Sequence, residues 1–299
     1  MIFDLSFLDL ELESANGAEI PKELFAHPTF KKIADHEAEL NRPTWDEESF
    51  RTRFSAAAAD KREKRSDWGL APLFHNREEL EALKHWIESE KDDLSKRIDK
   101  WIAQYTAAPQ RGDARCIAYV GSYDAGFSPS VGSGEIYLNI ALLSRKECFL
   151  ETLVHESYHA RMLSKEANLR RKMIEDNSDP IMILLFLTFE EGIATYVGNN
   201  GSTSTQYPVI PFRKPEEGIE ELKYIIKRYK QGELTAQDAF NQFALSDCCY
   251  TGGAYIADSV WKKLGIDGLE LWSSQIDLKA YYEAFRSTPE GMEWPELEL

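Results

Sequence analysis

Apolar positions along the chain change period near residue 110. Before it, Leu80, Leu83, Ile87, Leu94, Ile98, Ile102 and Tyr105 recur at helical spacing with charges opposite, which predicts one long helix over 77–105 ended by Pro109 and Gly112. Residues 1–20 alternate apolar and acidic positions (Ile2, Phe3, Leu5, Phe7, Leu8, Leu10, Leu12), a pattern that suits a strand or a loose helix. Residues 21–75 read as short helices divided by Pro21, Pro28, Pro43 and a Trp68-Gly69 turn, with the Lys61–Arg65 charge run on a solvated face. After residue 110, Cys116–Val120 and Glu135–Ile140 read as strands around a glycine-rich loop (Gly126, Pro129, Gly132, Gly134). Ser144 and Glu147 form a capping box that opens a helix over about 145–164. Asp179-Pro180 opens another that runs to about 197. Further helices are predicted near 216–230, 235–245, 252–264 and 276–287. The expectation is an α+β chain, mostly α: a mainly helical region over 1–110, then a region over 111–299 whose small sheet (115–143) precedes its helices.

Charge narrows the partners. The chain has 299 residues, with 35 Lys+Arg against 51 Asp+Glu and a formal net charge of −16. Binding to nucleic acid or to an anionic membrane begins with basic side chains neutralising phosphate, so neither is an expected partner. The longest apolar run, Ile181 to Phe189, covers nine residues broken by Thr188, against the roughly 20 a spanning helix needs. The N-terminus lacks the basic start and apolar stretch of a secretory leader. Cys116, Cys148, Cys248 and Cys249 include no CxxC. They read as reduced thiols, and the expected compartment is the cytoplasm.

The strongest chemical signal is His155-Glu156-Ser157-Tyr158-His159, an HExxH motif inside the 145–164 helix. Residues i and i+4 share a helix face, so both imidazoles can meet one zinc ion. Glu156 lies one residue round, where it can act as a base toward water without ligating. A catalytic zinc takes three protein ligands. No histidine follows His159, and Lys165 stands where a HExxHxxGxxH sequence has its third. The third ligand is therefore expected to be a carboxylate, and the best source lies 32 residues on (191 − 159), in Phe189-Glu190-Glu191-Gly192. Gly192 removes a side chain beside that carboxylate and lets two helices approach. Tyr158, Trp86 and Trp101 are expected to pack. Cys148, two turns before His155, is too far to share its ion. Arg161, Lys165, Arg170, Arg171 and Lys172 read as a solvated face.

An HExxH helix followed by a helix bearing Glu191-Gly192-Ile193-Ala194-Thr195-Tyr196 resembles the gluzincin metallopeptidases, over residues 115–265 at most. The resemblance implies a zincin-like fold, zinc held by His155, His159 and Glu191, and Glu156 as general base. In the aminopeptidase branch the second helix reads Asn-Glu-Gly, so Glu191 matches the ligand and Glu190 takes the Asn position. Tyr250-Thr251-Gly252-Gly253 resembles that branch's Tyr-Glu-Lys-Gly element, which makes Tyr250 the oxyanion donor, with Tyr255 a nearby second candidate. The resemblance also places Glu135–Ile140 as an edge strand that pairs with extended substrate. The spacer between His159 and Glu191 is longer than in the aminopeptidases, and their Gly-x-Met-Glu-Asn substrate motif is missing. In these departures the chain is similar to bacterial families grouped as zinc-dependent peptidases. The expected activity is zinc-dependent hydrolysis of a peptide. The alternatives are a non-peptide, small-molecule hydrolase on the same scaffold, and a non-catalytic module in which zinc only joins helices.

Overall fold

A computed structural model describes residues 1–17, 20–40, 42–59, 69–107, 114–129, 134–161, 179–203, 214–295 and 297. The Lys61–Arg65 run, Trp68, Pro109, Gly112, Gly132 and the basic positions 165–172 lie outside them. The chain divides into two units: Met1–Arg97, Arg111–Pro129 and Ser133–Leu153 form the first, and Ile98–Gln110, Ser130–Gly132 and Val154–Leu299 the second.

The first unit is built on four strands: β1 (Ile2–Asp4), β2 (Arg115–Tyr119), β3 (Gly126–Phe127) and β4 (Glu135–Asn139), in the order β1-β2-β4-β3. β1, β2 and β4 run parallel, with Phe3 opposite Cys116 and Cys116 opposite Ile136. β3 pairs antiparallel with β4 through Gly126↔Leu138 and Phe127↔Tyr137. The expected edge strand, Glu135–Ile140, is thus an interior strand, because the glycine loop turns back and pairs with it. Residues 1–20 contain a strand and a helix in succession: β1, then α1 (Ser6–Asn16), whose Phe7, Leu8 and Leu12 are buried. Short helices follow as expected: α2 (Lys22–Ala26), α3 (Pro28–Glu39), α4 (Glu47–Ala59) and α5 (Pro72–His75). The long amphipathic helix is α6 (Arg77–Ile102), with Leu80, Leu83, Ile87, Leu94, Ile98 and Ile102 all buried.

Glu11 sits inside this unit, fully buried on α1, and accepts a 2.8 Å hydrogen bond from the Val120 backbone N–H. Burial pushes its carboxyl well above the usual range, against the opposing pull of that N–H. A carboxyl whose pKa is raised by folding stabilises the fold fully below its unfolded value, and loses that contribution as pH rises through the folded value. Glu11→Gln keeps the acceptor and removes the titration. The variant should gain melting temperature over the parent at pH 8 and not at pH 4. An equal difference at both pH values would show that folding does not raise the Glu11 carboxyl above its unfolded value.

The second unit is helical. It takes the C-terminal part of α7 (Lys146–Arg161), then α8 (Pro180–Gly198), α9 (Pro215–Lys230), α10 (Ala236–Ser246), α11 (Cys248–Leu264), α12 (Ile266–Ser273) and α13 (Leu278–Arg286). The Asp179 side chain caps α8 by accepting from Ile181 N–H at 2.9 Å, with Pro180 in the first turn. α8 has 19 residues and is long and apolar enough to cross a membrane by length and composition, although its longest apolar run is the nine residues Ile181–Phe189. Here it is a core helix. Leu184, Leu185, Phe186, Phe189, Ile193 and Val197 are buried, and Phe186 and Phe189 pack edge-on against Trp272, with ring centroids 5.1 and 5.6 Å apart. Trp101 donates its indole N–H to the Val197 carbonyl at 2.8 Å.

α11 packs against α8 on one side and α9 on the other, and glycines stand at both contacts. A Cβ on Gly192 of α8 would collide with Gly253 of α11, coming within 2.6 Å of its carbonyl oxygen. A Cβ on Gly252 would lie 3.0 Å from the Gly218 backbone of α9. The expected closeness at Gly192 is therefore realised, with α11 as the partner.

Candidate metal centre

α7 carries both histidines and α8 carries the carboxylate. His155 and His159, one turn apart, bring their Nε2 atoms within 3.1 Å of each other. Glu191 Oε2 lies 3.4 Å from each. Among the described residues these three form the group able to hold a metal ion, their ligand atoms all within 4.8 Å of one another. The spacing itself tests the fit. A tetrahedral zinc with bonds of about 2.0–2.1 Å separates neighbouring ligand atoms by about 3.3–3.4 Å. The observed triangle has edges of that size, and two imidazoles with one carboxylate are donors that zinc accepts.

The electrostatics are those of a cation site. Burial works against a charged His159, but the Glu191 carboxylate, with Glu156 and Glu190 behind it, pushes its pKa up to about 10. Burial would likewise raise Glu191. The two imidazoles, His159 foremost, hold it well below the usual carboxylate range instead. Three acidic side chains thus converge on one ring, so the place favours positive charge. Glu156 is buried at 8% exposure, beside His155 on α7.

Tyr250 and Tyr255 separate clearly. Tyr250 lies over His155, with ring centroids 6.2 Å apart and planes tilted by 38°. Tyr255 is five residues further along α11, on another face, where Glu290, Glu216, Lys262 and Asp258 set its electrostatics. Tyr250 was expected just ahead of a helix beginning at 252. The helix begins at Cys248, so Tyr250 stands in its first turn. The preceding Asp247 adopts the left-handed conformation, φ +53°, and ends α10 as α11 begins. Tyr158 is buried, its ring packed 6.1 Å from that of His159. His27, His36, His75 and His85 take no part in the group. His27 caps α3, and His36 pairs with Asp124 at 2.8 Å.

One residue near the centre had no assigned role in the sequence. Glu190 is 3% exposed, and its Oε1 lies 3.9 Å from His159 Nδ1. Its only signal was position, directly before the carboxylate that faces the histidines.

A His-His-Glu group drawn from α7 and α8, buried at His159 and half-buried at His155 and Glu191, with a further acidic side chain on the HExxH turn, defines a candidate metal centre. The comparison with known families agrees: residues 22–278 match the model of the family described as "Putative zinc dependent peptidase (DUF5700)", and the chain belongs to that family. No curated protein and no solved structure matches it.

Proposed function

We propose that this protein is a zinc metallopeptidase of the gluzincin type, with His155, His159 and Glu191 as its zinc ligands. The observation that carries this is the 3.1–3.4 Å triangle of ligand atoms. Among the described residues no fourth His, Cys, Asp or Glu joins that group.

Zinc bound there would polarise the scissile carbonyl and bring the pKa of a water toward neutrality. Glu156 takes the proton from the attacking water and passes it to the leaving amine. His155, His159 and Glu191, from α7 and α8, would hold that ion. Tyr250, beside His155, donates a hydrogen bond from its hydroxyl to the oxyanion that forms at the carbonyl. Peptides are the proposed substrates.

The test is a peptide-library digest read by mass spectrometry. Zinc-replete protein should cleave, stop on chelation and recover on adding zinc. Folded, zinc-replete protein that cleaves nothing in the library would overturn the peptidase reading. Tyr250→Phe should keep its zinc and lose about 100-fold in kcat. Unchanged kcat would remove Tyr250 from the mechanism.

A further inference from the structure

Glu190 and Glu191 are consecutive on α8, and they bracket one imidazole. Glu191 Oε2 faces His159 Nε2 at 3.4 Å, while Glu190 Oε1 faces His159 Nδ1 at 3.9 Å. Neighbouring helix residues point about 100° apart, which lets two carboxylates from one turn reach opposite edges of one ring. Both partners are buried, with His159 at 7% and Glu190 at 3% exposure. A neutral histidine that ligates through Nε2 carries its proton on Nδ1, the atom turned toward Glu190.

We propose that Glu190 is a positioning residue for the metal centre. Its carboxylate accepts the Nδ1–H of His159, fixes the ring with Nε2 toward His155 and Glu191, and strengthens that nitrogen as a donor. This rests on the zinc reading above and deepens it. A closing shift of about 1 Å, within the reach of a Glu side chain, converts the 3.9 Å pair into a charge-assisted hydrogen bond. Outer partners of this kind set metal affinity over a range of about 10–100-fold.

The experiment measures zinc affinity by competition with a chromophoric chelator, using the full chain and its Glu190→Gln, Glu190→Ala and Glu191→Ala variants. Melting temperatures of the metal-free proteins are recorded alongside. Glu190→Gln keeps the shape and an acceptor, and should weaken zinc binding about 10-fold. Glu190→Ala should weaken it further, toward 100-fold, and Gln should therefore rescue part of the loss. In zinc-loaded protein labelled with 15N-histidine, the His159 Nδ1–H resonance should be protected in the parent and exchange quickly in Glu190→Ala. A parent that binds zinc and loses it only in Glu191→Ala, with both Glu190 variants binding as tightly as the parent, would overturn the role of Glu190 and leave the metal site standing. A fall in metal-free melting temperature with unchanged zinc affinity would make Glu190 structural and overturn it equally. A folded parent that binds no zinc would overturn both readings. Should Glu190→Ala fail to fold, the near-isosteric Gln variant decides the question alone.

Discussion

Glu156→Gln should lower kcat about 1,000-fold while zinc still binds one ion per chain. The amide has nearly the shape of the acid and fits the same buried place at the α7 turn. It cannot accept the proton that must leave the attacking water. Loss of a general base costs 10²–10⁴-fold in typical cases, and the middle of that range is expected here. The effect should fall on kcat and kcat/KM equally, because the proton moves only on the way to the transition state. Glu156 also contributes to the negative field around His159. Its neutralisation should therefore weaken zinc binding a few-fold, which saturating zinc conceals. Steady-state kinetics on a library-derived peptide, at saturating zinc, measures the result. A variant that keeps a tenth or more of parental kcat would show that Glu156 is not the base.

How much of this centre could be read from the sequence depended on how local each relation was. His155 and His159 were legible because an i, i+4 pair shares one face of any α-helix. Glu191 was reached through its Gly192 neighbour and the resemblance that the two carry. The role proposed for Glu190 was not legible, because it depends on which nitrogen of His159 turns toward α8. Tyr250 was placed outside a helix for a physical reason. Cys248-Cys249-Tyr250-Thr251-Gly252-Gly253 is poor in helix formers, and only packing against α8 and α9 makes it helical. α12 went unread for a similar reason: Gly265 and Gly268 flank Ile266-Asp267 and look like a loop, yet Gly265, at φ +62°, ends one helix and starts the next. The sheet order lay beyond periodicity altogether. Pairing Ile2–Asp4 with Arg115–Ile117 joins strands over a hundred residues apart, and nothing local announces it.

The same glycines set the second large effect. In an ordinary helix Gly→Ala stabilises by about 1 kcal/mol, through the loss of backbone freedom in the unfolded chain. At Gly253 the sign should reverse. A methyl group there would strike the Thr188 carbonyl oxygen and lie 2.6 Å from the Gly192 Cα, both backbone atoms that no rotamer change can move. The helices must part by about 1 Å, an overpacking that costs about 3 kcal/mol. The net loss is about 2 kcal/mol, or a fall of roughly 5 °C in melting temperature. Gly252→Ala gives the internal comparison. It has the same helix and the same propensity gain, but its methyl would meet the Gly218 backbone at 3.0 Å, a gap that small adjustments can open. Its melting temperature should stay near the parent's. The two variants should differ in catalysis as well. Gly192 follows Glu191 directly, and Gly253 lies three residues after Tyr250, so parting α8 from α11 separates the carboxylate from the tyrosine that stands over His155. A misplacement of about 1 Å can cost about 100-fold in rate, and Gly253→Ala should show that loss at temperatures where it remains folded. A Gly253→Ala protein that melts at or above the parent, with parental kcat, would mean that the α8–α11 contact does not hold the site together.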